Sequence, residues 1–211
     1  MTALVFALLP EQVCIAMDTL VISFDDKKPQ SFQRKFFALP KLNLVIAGTG
    51  LANLVNTWFS LVQTMPEIQD IDHLNQLAPS VLRNASTLCF GSHLTTTTLY
   101  HFGYSKIEDQ YVGYAYRSSS NWESERLQYA LGFKPVVYVA PTDDIKFPEF
   151  FISILLEQQR QDQLLPIAEQ VGIGGEIEFV VMTDKTIHIE TVHRFVSYDS
   201  EKQYLEQNKT T

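Results

Sequence analysis

The sequence predicts an α+β protein, and three observations carry that prediction. Residues 3–47 are short apolar runs separated by polar turns. From Leu51 the apolar positions become 51, 54, 55, 58, 61, 62 and 65, the spacing of one helix face. Residues 176–195 return to two apolar runs. Strands, helices, strands, helices and strands follow in that order. Two mixed sheets between helical layers satisfy it, and so does an ordinary α+β domain.

The elements follow in turn. Ala3 to Leu9 is an apolar strand, Pro10-Glu11 a turn, and Gln12 to Met17 a second strand ending in Asp18. A third strand, Leu20 to Phe24, returns through a polar turn at Asp25 to Pro29 as a strand from about Phe32 to Leu39. Pro40-Lys41 turns the chain into Leu42 to Ala47, whose continuous apolarity predicts burial on both faces. Gly48-Thr49-Gly50 opens the helix from Leu51, whose opposite face is polar and uncharged: Asn53, Asn56, Thr57, Ser60 and Gln63. Ile71 to Ala85 is a second helical pattern, which Pro79 is expected to kink or split.

Residues 87–118 read as strands, chiefly Thr95 to Phe102 and Gln110 to Tyr116 about a charged turn at Lys106 to Asp109. Arg117 to Trp122 reads as a loop, Glu123 to Leu131 as a short helix, and Val136 to Val139 as a strand or extended lead. Pro148 suits the first turn of a helix over about 147–170, broken near Pro166. Strands Glu176 to Thr183 and Thr186 to Phe195 close the pattern, and a polar tail from Ser197 reads as a surface helix or a frayed end.

Composition bounds the function. A chain of 211 residues, 45% hydrophobic, fits one domain over 1–211 with a full core and a polar tail at 197–211. A formal charge of −8 argues against nucleic acid or an acidic membrane as partner. Cys14 and Cys89 sit in apolar runs and have no metal or disulfide-framework spacing, so they read as buried thiols in a reducing compartment. There is no basic n-region at the N-terminus and no apolar run of the roughly 20 residues that a bilayer span needs. The expectation is a cytoplasmic protein with no cofactor and no metal. His188, Glu190 and His193 do not make a metal site, because on a strand His193 points away from the other two. The acidic pairs Asp25-Asp26 and Asp143-Asp144 read as solvated loops.

The chemistry concentrates at the N-terminus. Once Met1 is removed, Thr2 carries a hydroxyl and a free α-amine, a nucleophile with its own base. A hairpin of this length returns Asp18 to the side of Thr2. Sixteen residues separate Thr2 from Asp18, and seventeen more lead to Lys35, with Arg34 beside it leaving the register open. Leu42 to Gly48 then reads LNLVIAG, an apolar strand ending in Ala-Gly.

Those residues resemble the N-terminus of a proteasome β-type subunit or of the bacterial two-component proteasome-like protease, both N-terminal-nucleophile hydrolases. The motif-level likeness covers about the first 50 residues and a Gly-Gly at Gly174-Gly175. The resemblance implies a four-layer αββα sandwich, a peptide or amide substrate, a homo-oligomeric ring and an unfoldase partner. It also implies roles. Thr2 is the nucleophile. Lys35, held by Asp18, keeps the α-amine neutral, whose ordinary pKa is about 7.7–8.0. The Gly48 N–H receives the oxyanion. Ile46 floors an apolar specificity pocket. Ser118 or Ser119, in a loop without the family's flanking glycines, assists the amine.

Two positions depart from the pattern. Where the family has Asp-x-x-Ser-Gly-Gly, this chain has Gln170 and Ile173 before Gly174-Gly175. An amide still accepts a hydrogen bond; Ile does not. A retained Met1 would moreover turn the Thr2 amine into an amide. Three readings follow: a threonine-type amidohydrolase or peptidase, a catalytically inactive scaffold or binding subunit of the same fold, and a small-molecule amidase.

Overall fold

The computed structural model describes residues 2–23, 25–90, 96–139 and 145–208, with the side chains of 88–90 excepted. Met1, the end of the expected third strand at Phe24, the Cys89 side chain, Thr95 and the acidic pair Asp143-Asp144 lie outside the described residues.

The first sheet is built on the N-terminal hairpin. β1 (Leu4–Leu8) and β2 (Gln12–Asp18) pair antiparallel with Leu4 opposite Met17 and Leu8 opposite Val13. β10 (Leu131–Lys134) flanks β1. β11 (Glu176–Thr183) flanks β2 and carries β12 (Thr186–Arg194), giving the order β10-β1-β2-β11-β12. The second sheet runs β5 (Phe36–Leu39), β6 (Leu44–Thr49), β7 (Thr98–Ser105), β8 (Gln110–Arg117) and β9 (Ser124–Arg126). β3 (Leu20–Ile22) and β4 (Pro29–Phe32) form a separate two-stranded ribbon. Every described pairing is antiparallel, which corrects the expectation of mixed sheets.

Alternation along the strands sorts the core into three clusters. Leu4, Phe6, Leu8, Ile15 and Met17 of the first sheet meet Val45, Ala47, Tyr100 and Phe102 of the second. The opposite face of the second sheet packs Leu44, Ile46 and Leu99 on α1 (Ala52–Gln63) and α2 (Ile71–Phe90). The opposite face of the first sheet packs Val5, Ala16 and Phe179 on α3 (Glu149–Gln163). β1 is internal to its sheet, so its first residues are held on both sides. Inside the helix-side cluster, the buried Trp58 indole N–H of α1 donates to His101 Nε2 of β7 at 2.7 Å.

Several elements differ from expectation. Residues 87–90 belong to α2, which runs unbroken through Pro79 because Leu74, Ala78 and Leu82 keep one buried stripe on both sides of it. Residues 123–131 form no helix. Ser124 to Arg126 pair with Tyr116 to Tyr114 at the sheet edge, where Arg126 lies over the Tyr114 ring and bridges to Glu108. The strand expected over 32–39 is two strands in different sheets, parted at Gln33 to Lys35 where Gln33 N–H turns to the Thr19 carbonyl. Of the two states expected for the polar tail, it takes the helix: α4 (Tyr198–Asn208) is seated on β4 by a Tyr198–Phe32 stack at 5.0 Å. No described helix is long and apolar enough to cross a membrane.

Candidate active site

The β1–β2 register fixes the site. With Leu4 opposite Met17, the chain before β1 lies beside the end of β2, where Asp18 is fully buried. Its Oδ1 accepts the Ala3 N–H at 2.9 Å. Its Oδ2 accepts Lys35 Nζ at 2.8 Å and the Gly174 N–H at 3.4 Å. One carboxylate thus ties together the residue after Thr2, the cation in the gap between β4 and β5, and the turn before β11. The Lys35 side chain is only 8% exposed, so this is an ion pair shielded from water. Arg34 instead makes a two-pronged contact with Glu178, so of the two neighbours it is Lys35 that pairs with Asp18.

Thr2 is buried and, with Lys35 and Gly48, lines a cavity of about 930 Å³. Val21, Phe37, Leu51 and Val55 give part of its wall an apolar surface, beside polar and charged residues such as Asp25, Gln30 and Arg34. Among the described residues no hydrogen bond joins Lys35 to the Thr2 hydroxyl; Asp18 is the partner the ammonium has. A Cβ on Gly48 would meet Val55 Cγ2 at 2.4 Å, so the approach of α1 alone already demands glycine there. Gly50 has φ +106, and a side chain on it would strike the Thr96 carbonyl at 2.6 Å.

The other expected residues lie apart. The Ser118 hydroxyl accepts the Thr97 N–H at 2.9 Å, Ser119 is exposed, and neither lines the cavity. The Thr97 hydroxyl in turn accepts the Leu51 N–H at the start of α1, so this loop serves the entry to the helix. Ile46 is fully buried against α1 and α2. The structure therefore does not bring it to the cavity, where its cross-strand partner Phe37 stands instead. The Gln170 amide donates to the Leu165 carbonyl, and Ile173 is buried in the cluster under α3.

Two carboxylates were not found from the sequence. Asp162 at the end of α3 accepts the Val171 and Gly172 N–H groups at 2.6 and 2.9 Å. Glu201 of α4 accepts the Gly175 N–H at 2.9 Å. Burial pushes the Glu201 carboxyl above its ordinary range, against the lowering effect of its bonds from Ser197 and Gly175, and the charge of Asp18 adds to the rise. The i, i+3 spacing of Tyr198 and Glu201 is the signal that could have marked this face as packed. The Cys14 thiol is free and buried, and burial pushes it up to about 11, far from a reactive thiolate. Among the described residues no group of three His, Cys, Asp or Glu side chains could hold a metal.

No family model and no curated protein matches this sequence. Solved structures do. The Anbu (Gly-1) mutant from Hyphomicrobium sp. strain MC1 superposes with a TM-score of 0.66 at 13% identity, covering 100% of this chain and 94% of that one. Anbu (ancestral beta-subunit) from Yersinia bercovieri does so with a TM-score of 0.65 at 12% identity, again over 100% and 94%. At such identity the likeness shows the fold: this chain has a proteasome-related fold. It also corrects the family read from the N-terminus. The structural match favours Anbu, a distinct proteasome-related family, over a proteasome β-type subunit or the bacterial two-component protease.

Proposed function

We propose that this chain is an N-terminal threonine hydrolase of amide bonds, active once Met1 has been removed. The observation that carries the reading is the buried Asp18–Lys35 pair set beside Thr2 in a cavity that Gly48 also lines. The Thr2 hydroxyl attacks the amide carbonyl as its proton passes to the α-amine. The Gly48 N–H stabilises the oxyanion, and the amine returns the proton to the departing nitrogen. Water then hydrolyses the ester with the amine again as base. The Lys35 charge disfavours a second cation nearby and keeps the amine neutral. The apolar wall of Val21, Phe37, Leu51 and Val55 suits an apolar substrate side chain. We place this chemistry on one domain with a four-layer αββα arrangement, in a cyclic homo-oligomer of the cytoplasm; the likeness to an Anbu (ancestral beta-subunit) supports the subunit reading.

Processed protein is expected to be labelled at Thr2 by a β-lactone, read by mass. Thr2→Ala should abolish labelling, and Lys35→Ala should lower it by at least about a hundredfold. Processed wild-type protein that never labels would leave the second reading, a binding or scaffold subunit. Gln170, whose amide donates to the Leu165 carbonyl, and Ile173, buried under α3, stand where the resemblance has Asp and Ser, and favour that alternative.

A further inference from the structure

We propose that Glu201 is a positioning residue of the Thr2 site, acting through the Gly174-Gly175 turn on the Asp18–Lys35 pair. The inference deepens the hydrolase reading and rests on it for the meaning of the site, though not for the contacts.

The turn is gripped from two sides. From β2, the Asp18 carboxylate accepts the Gly174 N–H, while the Gly174 carbonyl accepts the N–H groups of Thr19 and Leu20 at 3.3 and 3.1 Å. The Thr19 hydroxyl accepts the Glu176 N–H at 2.8 Å. From α4, Glu201 accepts the Gly175 N–H. A Cβ built on Gly174 would lie 2.4 Å from Glu201 Oε1, so the carboxylate rests directly on the turn. Gly175 has φ +77, and its missing side chain leaves room for the Thr19 hydroxyl.

The consequence runs to the nucleophile in a few bonds. Glu201 fixes Gly175, the turn presents Gly174 to Asp18, and Asp18 holds both Ala3 and Lys35. Ala3 follows Thr2 in the chain. Where the resemblance has a carboxylate before this turn, this chain has Gln170, whose amide is spent on Leu165. A carboxylate from the C-terminal helix, 26 residues beyond Gly175, reaches the same turn instead. Its helix is seated independently, by Tyr198 on Phe32 and by the Arg194 guanidinium over the Tyr198 ring.

The test uses full-length processed protein and three variants: Glu201→Ala, Glu201→Gln and Tyr198→Ala. Two readouts apply to each: amide hydrogen exchange at Ala3, Thr19, Leu20 and Gly174, and the rate at which limiting acetic anhydride acylates Lys35. Glu201→Ala is expected to speed both by roughly tenfold or more. Glu201→Gln should restore both to near the wild-type rates, because the amide oxygen still accepts the Gly175 N–H. Tyr198→Ala, which loosens the helix seat but keeps the carboxylate, should change them much less. Wild-type rates in Glu201→Ala, or equal effects of all three variants, would overturn the proposal. Thr2 labelling is scored separately. A wild-type protein that does not label refutes the hydrolase reading and leaves the exchange result to decide the role of Glu201.

Discussion

Asp18 holds together more of the candidate site than any other side chain, since three of its contacts come from segments far apart in sequence. Replacing it tests the arrangement. Asp18→Asn keeps the shape, removes the charge, and strands the Lys35 ammonium in a place almost without water. A loss of about 3–5 kcal/mol is expected, read from urea denaturation. Adding Lys35→Met should recover part of that loss, because both desolvated charges are then gone. An Asp18→Asn protein as stable as wild type would mean that the pair is not shielded as described. The approach of Asp18 to the chain beside Thr2 was legible because one hairpin brings them together, whereas Lys35 lies outside that hairpin and only the resemblance pointed to it. Glu201 and Asp162 were not legible, because each meets its turn only after a helix has docked, and no short-range pattern announces that. Ile46 misled for a related reason. Alternation gives it the same face of β6 as Gly48, but the packing of α1 and α2 covers Ile46 completely, whereas Gly48, close under Val55, still borders the cavity.

At the scale of elements, the long periodic segments were readable and the short edge pieces were not. α1 and the pairs β1–β2 and β11–β12 follow from apolar spacing alone. β9 reads as part of a helix because three residues at a sheet edge carry no period of their own; their place comes from β8 and from Arg126 lying on Tyr114. The contact between α1 and the second sheet makes a testable prediction. His101 is wholly buried, and burial pushes its imidazole down to about 3. It stays neutral, with Nε2 accepting the Trp58 N–H. An unfolded chain takes up this proton near its ordinary value of about 6.5, whereas the folded chain does not until about 3. Between those values the unfolded state binds the extra proton, so this group costs stability as pH falls below about 6.5 and has no effect above it. The loss is on the order of 1.4 kcal/mol per pH unit in that window. His101→Gln keeps an acceptor for Trp58 and does not titrate. Urea midpoints at about pH 7 and about pH 4.5 should therefore differ less in His101→Gln than in wild type. An equal difference in the two proteins would show that His101 is protonated in the fold.

For the whole molecule, the order of layers and the charge bear on assembly. α1 covers the outer face of the second sheet and presents Asn53, Asn56, Ser60 and Gln63 to solvent without a single charge. The chain carries −8 overall, so a neutral face of this size is where a second copy approaches with least repulsion. Asn53 and Asn56 also line the cavity that holds Thr2. A copy docked on α1 would thus stand at the cavity mouth and govern which substrates enter. The proposed cyclic assembly predicts that light scattering gives a mass several times the 24.1 kDa of the chain. Asn56→Glu with Ser60→Glu places carboxylates on both sides of a repeated contact and should dissociate it, while the exposed positions leave the monomer folded. Circular dichroism confirms the second point. If labelling at Thr2 also changes in the dissociated variant, the neighbouring copy shapes the cavity. Wild-type protein that runs at 24.1 kDa at working concentration would remove the ring and leave the α1 face simply solvated.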